Sequence, residues 1–172
     1  MLRNKPKSLV ILGILTILNT SLALFSGLVN LVSGPPSADQ IRKENLEMAK
    51  SIVDFKKLDP PPEALELVEK IQQISVAVND NFLFFTSVSA LFSLIGFLSV
   101  IFMFRQKIYG FHAYIVYSLL SSTSIYLILS PSEVPTPLII LNLLIAGLFI
   151  YLYSKNLAWI KNDTLPSNDF DL

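Results

Sequence analysis

The chain has 172 residues, 52% of them hydrophobic and 15% charged, and its 13 basic and 13 acidic side chains leave zero net charge at a mean hydropathy of +0.58. A soluble domain carries about 25% charged residues, so an ordinary water-soluble globule is excluded, and a neutral chain without a basic patch is no nucleic-acid binder. The absence of cysteine removes disulfides, thiolate metal sites and lipoprotein attachment.

Charge is confined to short segments. No ionised group falls between Lys7 and Asp39, Asp80 and Arg105, Lys107 and Glu133, or Glu133 and Lys155. A bilayer span needs about 20 apolar residues, so the four gaps predict four transmembrane helices, and the fold class is all-α integral membrane protein.

In chain order, residues 1–8 are a basic leader and residues 9–32 the first span. The "MLRNKPK" start would suit a secretory signal, but its apolar region is about 7 to 15 residues long. Here "LVILGILTILNTSLALFSGLVNLV" is longer and is followed by "SGPP", which lacks a small-residue cleavage site. An uncleaved anchor is expected.

Residues 33–81 are the one sizeable segment outside the spans, and they read as an extracytoplasmic amphipathic helical pair. Ser37 with Gln40 is a capping-box pattern that starts a helix. Ile41, Met48, Ile52 and Phe55 then fall on one helical face. "LDPPPE" breaks the helix, with Asp59 expected to cap the next one. Leu67, Ile71, Ile74 and Val78 form a second stripe, and Glu66 and Lys70 an i,i+4 pair. This helix is expected to run on through "NDN" into the second span. These eight apolar residues are the candidate partner face. In water such stripes must be covered by each other, by the membrane surface or by a partner. The carboxylates between them alternate with basic residues and show no metal-loop spacing, so they read as a solvated face and no cofactor is expected.

Residues 82–104 form the second span, 105–107 the turn "RQK", 108–129 the third span, 130–136 a short loop, 137–154 the fourth span and 155–172 the tail. Arg3, Lys5, Lys7, Arg105, Lys107, Lys155 and Lys161 flank one set of span ends, and the opposite ends have no close equivalent. Positive residues are retained on the cytoplasmic side, so both termini are expected there. His112, beside Tyr109, Phe111 and Tyr114, reads as an interfacial residue without a titratable partner. Tyr151, Tyr153 and Trp159 are expected to make a matching aromatic belt. The polar tail "TLPSNDFDL" has the composition of disorder.

Within the spans the informative residues are small and weakly polar. Ser89, Ser93 and Gly96 share a face of span two, Ser118, Ser121 and Ser122 one of span three, and Asn142, Ala146 and Gly147 lie in span four. Asn19 and Gly27 lie in span one. Small residues let helices approach closely, so these are the candidate helix-packing face, and the cluster "SSTS" at 121–124 is the one sign of a polar pathway.

The stretches "ILGILTILNTSLALFSGLVNL", "RQKIYGFHAYIVYSLL" and "LFIYLYSKNLAWI" resemble uncharacterised small four-span inner-membrane proteins of Gram-negative bacteria. The resemblance covers all four spans and implies a multi-pass protein of the bacterial inner membrane, with no catalytic or ligand residues to carry over. The topology is also similar to that of claudins, without the tryptophan and cysteine pair expected of them.

An enzyme needs convergent nucleophile, base or metal ligands, and none is apparent. The function expected is therefore a non-catalytic subunit embedded in the lipid bilayer that recognises another membrane or periplasmic protein, or itself. The alternative is a small transporter or channel subunit with a polar face on span three.

Overall fold

A computed structural model describes residues 5–161. Regular structure among them is helical: α1 (Lys7–Ser33), α2 (Ala38–Lys56), α3 (Pro62–Asp80), α4 (Phe82–Phe104), α5 (Ile108–Thr123), α6 (Thr136–Ser154) and a short α7 (Leu157–Ile160). A 3-10 turn, Ser124–Leu127, follows α5. Helices α1, α4 and α6 are long and apolar enough to cross a membrane. Arg3 and the "TLPSNDFDL" tail lie outside the described residues.

Local chemistry accounts for the breaks. Helix α1 stops at Gly34, whose φ of 79° is left-handed, and two prolines follow. The capping box at the start of α2 is complete: the Ser37 N–H donates to Gln40 Oε1 at 2.8 Å, and the Gln40 N–H donates to Ser37 Oγ at 3.3 Å. Asp59 is not the cap of α3. Its φ of 51° places it in the left-handed turn that ends α2, and Pro61 stands at the N-cap of α3 with no side-chain bond. Aspartate tolerates that conformation because its short polar side chain suits the left-handed well. The run from α3 into α4 is broken only at Asn81, whose Nδ2 donates to the Ala77 carbonyl at 2.9 Å.

The turn Arg105–Lys107 sits where the charges place it, with Gln106 at a φ of 59°. The expected span 108–129 is α-helical only to Thr123. Ser122, Thr123 and Ser124 each donate a hydroxyl hydrogen bond to a carbonyl three or four residues back, at 2.8, 2.9 and 3.0 Å. Such back-bonding competes with the helix ladder, and the chain tightens to 3-10 before Pro131. In the following loop the Ser130 N–H and hydroxyl both donate to Glu133, at 2.8 and 2.6 Å, which holds that carboxyl below its ordinary range.

Helix α1 packs along α4, α4 along α5 and α5 against α6, while α1 meets α6 more sparingly. The buried face of α1 runs through Leu9, Leu12, Gly13, Thr16, Thr20 and Gly27, and that of α4 through Thr86, Ala90, Ser93, Gly96, Ser99, Val100 and Met103. Steps of three and four residues put each set on one stripe. Hydroxyls on these stripes are satisfied by their own helix: Thr20 donates to Thr16 O at 2.8 Å and Ser99 to Gly96 O at 2.6 Å. At Gly96 an added Cβ would come within 2.8 Å of the Tyr117 ring and 2.9 Å of Thr20, so three helices approach there because no side chain intervenes.

The core lies at the end of the bundle that carries the 105–107 turn. Leu9, Leu12, Val100, Met103, Phe111, Tyr114, Tyr153, Trp159 and Ile160 form one cluster. This corrects the expected aromatic belt. Tyr153 is fully buried and Trp159 nearly so, with α7 folding back to cover the cluster. Tyr109, Tyr151 and His112 remain exposed, and the Lys155 ammonium lies 4.6 Å over the Tyr151 ring.

Candidate functional site

Two features stand out: a polar cleft between α1, α5 and α6, and the hairpin formed by α2 and α3.

At the core end the Thr16 and Tyr153 hydroxyls, 2.9 Å apart, tie α1 to α6, and Ser8 Oγ donates at 2.9 Å to Oδ1 of Asn156, just ahead of α7. Next to that tie, residues of α1, α5 and α6 line a cavity of ≈ 360 Å³. Thr16, Asn19, Tyr114, Tyr117, Ser118, Ser121, Ser122 and Asn142 supply its polar lining, and Leu15, Ile145, Ala146 and Phe149 the apolar part. At 1.5 Å per residue, Thr16 and Asn19 sit roughly 14 to 18 Å from the start of α1, near its middle.

The hydroxyls are already engaged with one another. Tyr114 interacts with Ser118 and Thr16, and Tyr117 with Asn19 and Ser121. Ser122 donates to Ser118 O and, at 3.4 Å, to the Asn142 backbone carbonyl. The Tyr114 ring lies 4.6 Å from that of Tyr153 and 5.8 Å from that of Tyr117, so aromatic contacts hold the floor. None of the lining residues is acidic, basic or histidine, and no group of three potential metal ligands occurs among the described residues.

The candidate helix-packing residues therefore divide. Ser93, Gly96 and Ser118 are buried between helices, and Ser89 is half-buried at the edge of the α4 stripe. Ser118, Ser121, Ser122 and Asn142 line the cleft. Gly147 belongs to neither group: it lies on the outer surface of α6, with nothing within 4 Å of where a Cβ would stand. Tyr114, expected among the interfacial rings beside His112, is instead buried in the floor. Thr16 was not among the candidates, and its signal is the step from Gly13 to Thr16 to Thr20 within an apolar run.

The hairpin is loosely filled. Of the eight stripe residues only Ile52 is buried, at 7% exposure; Ile41, Met48, Phe55, Ile74 and Val78 are half-buried, and Leu67 and Ile71 are exposed. Leu46, Val53 and Leu58 add further exposed apolar surface. One ion pair, Lys56 Nζ to Glu69 Oε1 at 3.0 Å, bridges the two helices, and Lys70 to Glu66 at 2.9 Å stays within α3. The hairpin otherwise joins the bundle mainly where α3 runs into α4.

A helical chain with three helices long and apolar enough to cross a membrane belongs with membrane proteins as a class. No protein-family model, curated protein or solved structure matches the chain.

Proposed function

We propose that this chain is a non-catalytic membrane subunit that crosses the bilayer four times, keeps both termini in the cytoplasm and holds a partner protein through the α2–α3 hairpin. The observation carrying the reading is the hairpin itself, two amphipathic helices with only Ile52 buried between them. Helices of this length are marginal in water unless an apolar face is covered, and the pair leaves Leu67, Ile71, Leu46, Val53 and Leu58 uncovered. Residues 33–81 carry six basic and nine acidic side chains, a net charge of 6 − 9 = −3. The complementary surface is an apolar groove with a basic rim, entered by anchors at helical spacing. A membrane-surface role suits the segment less, since helices that lie on membranes favour Lys and Arg.

The four-span reading is supported by length. The 16 residues of α5 and the four of the 3-10 turn together rise about 32 Å, close to the thickness of a bilayer core.

The test separates docking from self-packing. Leu67→Ser and Ile71→Ser should leave protein abundance unchanged and abolish co-purification of a stoichiometric companion in mild detergent. Ile52→Ser, a truncation at the one buried position, should cost about 2 to 5 kcal/mol and lower abundance. If the two exposed-face variants retain every companion of the parent, the hairpin is not the recognition surface. The polar cleft favours a second reading, a small transporter or channel subunit, which flux through liposomes containing the purified chain alone would establish.

A further inference from the structure

We infer that the cleft between α1, α5 and α6 is a binding site for an uncharged lipid whose head carries a hydroxyl or carbonyl oxygen.

Four observations lead there. The cavity lies near the middle of α1 and is walled by α1 and α6 above an α5 floor, so its mouth faces the surroundings of the bundle. Buried Thr16, Tyr114 and Ser118 form its bottom, and exposed Leu15, Asn19, Ser121 and Ile145 its rim. A ligand there presents its oxygen to the Asn142 amide and its hydrocarbon to Leu15 and Ile145.

Its lining holds no carboxylate, lysine, arginine or histidine. A charged head would enter a site with no counter-charge at a depth where an unpaired ion is costly. Phospholipid heads and ionic solutes are therefore disfavoured, and neutral ones are admitted.

The hydroxyls are paired among themselves, but the Asn142 side-chain amide makes no hydrogen bond among the described residues. In hydrocarbon an unsatisfied amide is expensive. It offers two donors and an acceptor, which suits a lipid hydroxyl as donor and acceptor, or a carbonyl as acceptor.

The cavity of ≈ 360 Å³ accepts a head group and the first methylenes of a chain, beside the Thr16–Tyr153 tie. The tie also closes the cleft toward the core, so a bound lipid stays at mid-depth.

The experiment places the full chain in phosphatidylcholine nanodiscs containing one photoreactive probe at a time: a diacylglycerol, an isoprenoid benzoquinone, or phosphatidylcholine bearing the same photoreactive group. Cross-linked residues are then mapped by mass spectrometry. At least one neutral probe should label the segments around Leu15, Asn19, Ser121 and Asn142 in preference to the phosphatidylcholine probe, and an excess of its unlabelled form should displace it. Labelling by the diacylglycerol alone assigns a hydroxyl head, and by the quinone alone a carbonyl head. Asn142→Leu should reduce the specific labelling about fivefold, the factor for one ordinary hydrogen bond, while phosphatidylcholine labelling and the melting temperature stay unchanged.

The proposal fails if neutral probes label the cleft no more than phosphatidylcholine does, if excess unlabelled lipid displaces nothing, or if Asn142→Leu folds and labels normally. It fails equally if the cleft is recovered cross-linked to another polypeptide or to a second copy in place of lipid. Should Asn142→Leu not assemble, displacement on the unaltered chain still decides the matter.

Discussion

Two helical glycines, Gly110 and Gly147, sit in opposite surroundings, and the difference gives a sharp residue-scale expectation. A Cβ on Gly110 would stand 2.7 Å from the Met103 nitrogen and 2.7 Å from the Ser99 carbonyl oxygen. Both are backbone atoms of α4, so neither yields without moving the helix. Gly110→Ala should therefore cost about 1 to 3 kcal/mol, the usual range for overpacking, and lower the melting temperature in detergent. At Gly147 nothing stands within 4 Å, so Gly147→Ala should be neutral or gain up to about 1 kcal/mol from reduced backbone freedom. Equal effects at the two sites would mean that α4 and α5 are not in close contact at Gly110. Both glycines lie in apolar runs, and sequence alone does not rank them.

At the scale of elements, the tie between α1 and α6 is the most exposed to test. The Thr16 and Tyr153 hydroxyls share one hydrogen bond of 2.9 Å, while the Tyr153 ring also packs at a tilt of 59° against Tyr114. Tyr153→Phe keeps the ring and removes the bond. It should cost about 0.6 kcal/mol, the mean for hydrogen bonds between membrane helices, and at most about 1.7 kcal/mol, and should increase cross-linking of cysteines introduced at the mouth positions Leu15 and Ile145 by widening their range of motion. A loss well above 3 kcal/mol would show that the hydroxyl holds more than this tie. The hairpin has a weaker internal bond: Lys56 and Glu69 are both about half exposed, and such surface pairs contribute about 0 to 1 kcal/mol. The pair thus adds little to what the apolar packing around Ile52 contributes between the two helices.

For the whole molecule the decisive measurement is the side of the membrane reached by each segment. Reporter fusions after Ser8, within residues 105–107 and after Lys161 should all report cytoplasm, and fusions near Lys57 and Glu133 the opposite side. Seven basic residues flank one set of ends, and such residues are held back from translocation. The number of crossings is tested by the same series. If α5 with its 3-10 turn did not cross, Glu133 would report the same side as residues 105–107 and Lys161 would change sides.

Composition and periodicity by themselves determined most of the elements of this protein, because both act locally. Three of the four charge-free runs became the long helices α1, α4 and α6, the Arg105–Lys107 turn lies where its charges place it, and the Ser37–Gln40 pair formed its cap, while the run 108–129 leaves the α-helix after Thr123 and Asp59 ends α2 without capping α3. Each depends on residues within a few positions of one another. What tertiary structure alone decided is which side of each helix meets another. Ser93, Ser118 and Gly147 looked alike as small residues in apolar runs, yet two are buried and one faces outward. Tyr151 and Tyr153 are two residues apart, and helix phase exposes one and buries the other. A soluble helix announces its inner face by contrast with polar residues. In a membrane-spanning helix both faces are apolar, so the inner one is set by shape complementarity between distant segments, and only the fold reveals it. The cleft follows the same rule: Thr16, Tyr114 and Asn142 are far apart in the chain and line one cavity only because the fold brings α1, α5 and α6 around it.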